Sequence, residues 1–217
     1  MERSSYSRHS GSGTREASES GNKAVFERRM TVIATVTAYG TGSDSDGAVL
    51  VADKIIDSQM MRPSLADIAL DTISKMANNE LLMIHPERRE DNSVDAAVVM
   101  IRKNKARFFI SGVSAAYHFS GGKLLHRSES GEAPAIGKTP RFDPRLEKAF
   151  DLGRGENIFL TADRALSESI SDDKLEQMAA SLAGPEEFMD ALIKEMGPER
   201  SFSAGIAFLP PRKHLFF

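Results

Sequence analysis

Apolar residues follow two different rhythms along this chain, and the switches between them mark out its elements. Residues 30–36 (MTVIATV) are apolar and β-branched at both odd and even positions, the pattern of a strand buried on both faces. They run into Ala38-Tyr39-Gly40-Thr41-Gly42-Ser43, a glycine-punctuated turn. Helical spacing then takes over. A helix is predicted from Asp46-Gly47 through Val49, Ala52, Ile55 and Ile56. A second opens at Pro63-Ser64, with Ser64 as N-cap and Leu65, Ile68, Ala69, Ile73, Met76 and Ala77 as its apolar stripe. Met60, Met61, Met76 and Met83 are assigned to the core or to a helix face.

Beyond the polar loop at 85–92 the rhythm returns to that of strands. Residues 94–101 (VDAAVVMI) and 106–111 (ARFFIS) form one predicted hairpin around Arg102-Lys103-Asn104-Lys105. Residues 115–119 and 123–126 form another around Ser120-Gly121-Gly122. A long polar connection over 129–152 ends in Gly153-Arg154-Gly155. Ile158-Phe159-Leu160 is a short buried strand that delivers Asp163 to its end, before Leu166 and a Ser-rich turn. Ser171-Asp172-Asp173 caps a helix carrying Leu175, Met178, Ala179 and Leu182, which Gly184 and Pro185 end. A helix over 185–196 stops at Gly197-Pro198, and 201–209 (SFSAGIAFL) is the last strand. This order predicts an α+β fold with helices packed on a β-sandwich.

Composition narrows the function. The chain has 217 residues, enough for one sizeable domain, and its Ser- and Gly-rich start (1–24) has the composition of a disordered tail. An edge strand at 13–20 is the second reading of that segment. A net charge of −3 gives no footprint for nucleic acid. Without cysteine there is no thiolate metal site and no Cys nucleophile. No apolar run approaches the ~20 residues of a membrane span, and no signal-peptide core is visible, so a cytoplasmic location is expected. His9, His85, His118, His126 and His214 show no ligand spacing, and Ser114, Ser167 and Ser169 have no evident base. Asp44-x-Asp46-Gly47 lacks the later ligands of a calcium loop and is read as a helix cap.

Four short stretches and a terminal strand, taken in order, resemble the motifs of the PPM-type phosphatases, the metal-dependent protein phosphatase 2C family with its bacterial sporulation-type relatives. Gly13-Thr14-Arg15-Glu16-Ala17-Ser18-Glu19-Ser20 resembles the family's Gly-x-Arg-x-x-Asn-Glu-Asp strand. Ala38-Tyr39-Gly40-Thr41-Gly42 resembles its Ala-Asp-Gly-x-Gly turn, and Gly112-Val113-Ser114-Ala115-Ala116-Tyr117 its Gly-Asp-Ser-Arg-x-Tyr hairpin. Leu160-Thr161-Ala162-Asp163-Arg164-Ala165-Leu166 with Ile170-Ser171-Asp172 resembles Leu-x-Ser-Asp-Gly-Leu and its helix cap, and Ser201-Phe202-Ser203-Ala204 the closing Asp-Asn-x-Thr strand. The resemblance implies one domain over 1–217, with 1–12 as a flexible lead-in. It also implies a four-layer αββα sandwich, two antiparallel sheets flanked by helices.

It further implies a site at which two divalent cations, ~3.5–4 Å apart, activate a bridging water while an arginine holds the phosphate. Position by position, the phosphate-binding candidate is Arg15 and the metal-ligand candidates are Glu19 and Asp163. The neighbouring carboxylate positions are occupied by Ser20, Tyr39 and Ser201 instead. Tyr39 stands where the bridging aspartate would be, and a phenol with a pKa of ~10 is a poor ligand for Mg²⁺ or Mn²⁺. Arg164 beside Asp163 is read as a substitute charge. The expectation is therefore a pseudophosphatase that binds or regulates a protein partner in signalling, with no cofactor. The alternatives are an active Mn- or Mg-dependent Ser/Thr phosphatase that recruits Asp44, Asp46 or Asp95, and a structural or oligomerisation module.

Overall fold

The strand at 30–39 meets a different core on each of its faces, and the architecture follows from that. The structure, a computed structural model, describes residues 5–10, 19–26, 30–39, 54, 66–84, 93–128, 133–197 and 200–209. In chain order these form β1 (Ser5–Ser10), β2 (Glu19–Phe26), β3 (Met30–Tyr39), α1 (Ala66–Ile84), β4 (Ser93–Arg102) and β5 (Lys105–Ser111). There follow β6 (Ala115–Ser120), β7 (Lys123–Arg127), β8 (Arg145–Leu146), β9 (Phe150–Asp151) and β10 (Asn157–Ala162). The chain closes with α2 (Arg164–Ser169), α3 (Asp172–Ser181), α4 (Pro185–Met196) and β11 (Ser203–Leu209).

The strands assemble into two antiparallel sheets, one in the order β1-β11-β10-β6-β7 and the other β2-β3-β4-β5-β8, with β9 also on β5. Side chains alternate strictly between faces, because successive residues of a strand point opposite ways. Val32, Ala34, Val36, Ala96, Val98 and Met100 pack with Ala77 of α1 in one cluster. Their odd-numbered neighbours Ile33, Ala97, Val99 and Ile101 pack with Ala116, Phe159 and Ala207 of the other sheet. A third cluster joins Tyr117, Phe119, Leu160 and Ile206 to Leu166, Leu175, Phe188 and Leu192 of α2, α3 and α4. Helix, sheet, sheet and helices thus stack as four layers, the αββα sandwich expected.

Both predicted hairpins are present. Lys103 adopts φ 56° in the turn between β4 and β5, and Gly121 and Gly122 adopt φ 59° and 74° between β6 and β7. Positive φ at both Gly121 and Gly122, and at Lys103 in the first turn, gives the twist that antiparallel strands favour. Ser171 accepts from Lys174 N as the N-cap of α3, and α4 spans 185–196 as its pattern predicts.

Several expectations are corrected. Residues 5–10 are not a tail: β1 pairs along its whole length with β11, from Ser5↔Phe208 to Ser10↔Ser203. Backbone pairing makes this strand, so a Ser-rich composition does not preclude it. The edge-strand reading of 13–20 is met where it is described: Glu19 and Ser20 open β2, an edge strand of its sheet, while positions 13–18 lie outside the described residues. The Ser-rich turn after Asp163 is the short helix α2, too brief for a 3.6-residue rhythm to reveal. Met76 and Met83 face solvent, 63% and 81% exposed. Across from them Ser74, Ala77, Asn78 and Leu82 are buried. Asn78 clamps the 133–142 connection, donating to Thr139 O at 2.9 Å and accepting from Gly137 N at 2.8 Å. The predicted helix at 46–56 and the Ser64 cap fall outside the described residues, except for Lys54, which is helical.

One polar contact crosses the middle of the apolar inter-sheet layer: the Thr35 and Thr161 hydroxyls lie 2.8 Å apart, both fully buried. Thr161 Oγ1 also donates to Gly205 O at 3.3 Å. Thr35→Val or Thr161→Val alone is expected to lower stability by about 1 kcal/mol, because the partner hydroxyl stays buried and less satisfied. The double substitution is expected to cost less than the sum of the two. Urea midpoints of the four proteins check this.

Candidate functional site

Beyond the Thr35–Thr161 contact the inter-sheet layer turns polar at one end. By strand alternation Thr37 and Asp95 face the same layer as Ile33, Ala97 and Val99, and they are directly paired across β3 and β4. From the other sheet, Asp163 follows Thr161 and Phe159 on that face, Ser203 precedes Ala207, and Ser114 precedes Ala116. Thr37 is 1% exposed, Asp95 1%, Ser203 1%, Asp163 4% and Ser114 6%, so water does not readily satisfy them.

Asp163 is extended (φ −75°, ψ 179°) at the junction of β10 and α2. Its Oδ1 accepts from Leu166 N at 3.0 Å, making it the N-cap of α2. Its Oδ2 accepts from Ser203 N at 2.7 Å, while its own N–H donates to Ser203 O at 3.0 Å. The carboxylate thereby ties a helix start to the start of β11. Burial still dominates its titration, pushing its pKa up to about 6 against the opposing pull of those N–H groups, and nearby Asp95 raises it further.

Asp95 is held by its own clasp. Its Oδ2 accepts from Val113 N at 3.0 Å, and its carboxylate lies over Gly112. A Cβ on Gly112 would fall 1.6 Å from Asp95 Oδ1, and Gly112 sits at φ +69°. Only a glycine meets both conditions at this crossing between the sheets.

The positions singled out in the sequence gather at this end as far as they are described. Glu19 and Ser20 open β2 opposite Ala38 and Thr37, and Tyr39 closes β3 opposite Ser93. Ser201 is half-buried just before β11. Arg15, Asp44 and Asp46 lie outside the described residues. Asp95, weighed in the sequence only as one recruit among three, is among the described residues the carboxylate near enough to Asp163 to raise its pKa. Its signal was there: a lone acid inside the otherwise apolar run VDAAVVMI must be held by something. Thr37 and Ser114 gave no comparable signal.

No family model and no curated protein matches the chain. Solved structures do. A bacterial serine phosphatase superposes with a TM-score of 0.75 at 11% identity, covering 97% of this chain and 99% of that one. The Mycobacterium tuberculosis serine/threonine phosphatase PstP gives 0.73 at 13% identity, over 95% of this chain and 99% of that one. PppA, a regulatory component of the type VI secretion system in Pseudomonas aeruginosa, gives 0.72 at 17%, over 96% and 97%. The fold is thus that of the bacterial PPM-type Ser/Thr phosphatases. At such identities the likeness is one of fold.

The PstP catalytic domain has been solved with two manganese ions. The described residues here do not fit such a pair. They bring together two carboxylates, Asp95 and Asp163, and among them no three His, Cys, Asp or Glu side chains cluster. Each Asp163 oxygen already accepts a backbone N–H. Two octahedral cations require more anionic oxygen than this.

Two outcomes follow. Gly112→Ala is expected to destabilise strongly, by roughly 2 kcal/mol or more from positive φ and the collision with Asp95 together, measured as a fall in the urea midpoint. The pH dependence has two opposed parts. His118, fully buried and stacked on Phe159 and Phe150, has its pKa lowered first by burial, with a smaller push from His126, against the raising bond to Asn157. It folds neutral, so stability falls as pH drops below about 6.5, where the unfolded chain takes up the proton first. Asp163, with its pKa raised to about 6, works the other way: stability is gained as pH falls through 6 and levels off below 3.8. Melting temperatures from pH 7 to pH 5 are expected to fall more steeply in Asp163→Asn, and less steeply in His118→Phe, than in the parent protein.

Proposed function

We propose that this chain is a PPM-type phosphatase-like domain that acts through binding or regulation of a protein partner rather than through phosphoester hydrolysis. One observation carries the reading. At the end of the sandwich where a phosphatase of this fold needs several carboxylates, β3 closes on Tyr39 and Ser201 stands before β11. Neither side chain is an anionic ligand, and Asp163 is occupied as a helix cap. Arg15 remains the candidate to bind an anion, since a phosphate clamp can outlast hydrolysis. Tyr39, Ser20 and Ser201 are read as lost ligand positions, Glu19 as a remnant, and the domain as running over 1–217 in the cytoplasm.

A second reading is favoured by one specific observation, the buried Asp95 beside Asp163. In it the domain is an active metal-dependent Ser/Thr phosphatase whose ligand set has shifted inward.

Titration calorimetry with Mn²⁺ and hydrolysis of p-nitrophenyl phosphate separate the two. The first reading expects no metal-dependent turnover. Turnover that needs Mn²⁺ and is abolished by Asp163→Ala would overturn it in favour of the second.

A further inference from the structure

We propose that residues 143–152 form a pH-sensitive strap, seated across the edge of the sandwich while His118 and His126 are neutral and released from β5 when they take up protons. This device lies at the other end of β6 and β10 from Asp163, and it does not rest on the binding reading above.

The strap crosses the side where both sheets end, at β7 in one and at β8 and β9 in the other. Its backbone attachment is slight. β8 and β9 pair with β5 through two residues each, at Phe109↔Leu146, Ile110↔Arg145, Lys105↔Asp151 and Ala106↔Phe150. Two further bonds run from Glu147 N to Phe108 O at 3.0 Å and from Leu152 N to Asn104 O at 2.7 Å. A ring seats it between the sheets. Phe150 stacks on His126 with centroids 3.8 Å apart and on His118 at 5.3 Å, and it meets Phe108 of β5 edge-on at 5.1 Å. His118 lies in turn on Phe159 at 4.7 Å and 5.5 Å from His126.

This stack is a poor host for a proton. Asn157 Nδ2 donates to Gly155 O at 2.8 Å, which turns its Oδ1 towards His118 as an acceptor for Nε2–H at 2.9 Å. The bare nitrogen is then Nδ1, buried and without a hydrogen-bond partner, so a proton added there finds no acceptor. Burial lowers the pKa of both imidazoles; at His118 the Asn157 bond pulls the other way and His126 lowers it further. Attraction of a cation to the Phe150 face offsets part of this cost, but two imidazoliums 5.5 Å apart also repel. Charges on the neighbouring elements do not counter it. Asp151 is drawn to Lys105 at 3.9 Å and Asn104 at 3.4 Å, and Arg127 of β7 is paired with Asp172 at 2.8 Å. Arg107 is on the opposite face of β5 from Phe108, while Lys123, Lys148, Arg154 and Glu156 are exposed.

Opening the strap lets water reach both rings, so the open form takes up protons near the ordinary imidazole value of 6.5 and the closed form resists them. Acid therefore favours opening. Asn78 still clamps Gly137 and Thr139, which confines the release to the second half of the connection.

Hydrogen exchange of the full chain, read by mass spectrometry at pH 7.5 and pH 5.0 and corrected for intrinsic rates, tests it. Peptides covering 143–152 are expected to lose protection at pH 5.0 by roughly tenfold or more, while those of β3 and β4 keep theirs. The ceiling is about thirtyfold for each imidazole, since pH 5.0 lies about 1.5 units below 6.5. His126→Phe, which keeps a ring on Phe150 but cannot titrate, is expected to shrink the response, and the double variant His118→Phe/His126→Phe to abolish it. Phe150→Ala is expected to leave the strap open at both pH values. Should the double variant fail to fold, His126→Phe, at a half-buried position, carries the test. Equal protection of 143–152 at the two pH values overturns the proposal. So does a loss that β3 and β4 share equally, an undiminished response in His126→Phe, or a strap that stays closed in Phe150→Ala at pH 7.5.

Discussion

The two-residue period of the central strands is the constraint on which the remaining structure depends. β3 and β4 are buried on both faces, so each successive residue must serve a different core. A shift of register by one residue would send Thr35, Thr37 and Asp95 into the helix-facing layer and Val36 and Ala96 between the sheets. The cross-layer contact between Thr35 and Thr161 is one that such a slip would break. The polar end of the sandwich is therefore a product of parity. Thr37, Asp95 and Ser203 share the parity of the inter-sheet core and lie near the ends of their strands.

Much of this was legible in the chain, for physical reasons that differ by element. The hairpins announced themselves through their turns: Gly121-Gly122 is free to take the positive φ it adopts, and the polar Arg102-Lys103-Asn104-Lys105 breaks the apolar run, although the positive φ there falls on Lys103. Helix α4 was legible to the residue because Gly184-Pro185 and Gly197 bracket it. β1 was not, since its partner is β11 at the far end of the chain and nothing local encodes that pairing. The methionines of α1 misled because apolar spacing identifies a stripe without saying which side of the helix meets the sheet. Here small Ser74 and Ala77 and the clamp Asn78 take the inner side.

The candidate site was half visible. Asp163 could be found from its place after a buried strand, and its cap of α2 is the turn role that a carboxylate there can equally serve. Asp95 needed the fold, because its meaning lies in a partner strand from the other sheet. Sequence reasoning weighs a residue by its neighbours along the chain. The chemistry at this end of the sandwich is set by neighbours across it.

The clasp between Asp95 and Gly112 has a consequence for how this chain can change over time. The carboxylate occupies the very space that any side chain at Gly112 would take. Drift at Gly112 is therefore doubly gated: a side chain there requires a smaller residue than Asp95 in the same step and must also tolerate a positive φ. Two positions bound in this way should vary together or stay fixed together among descendants.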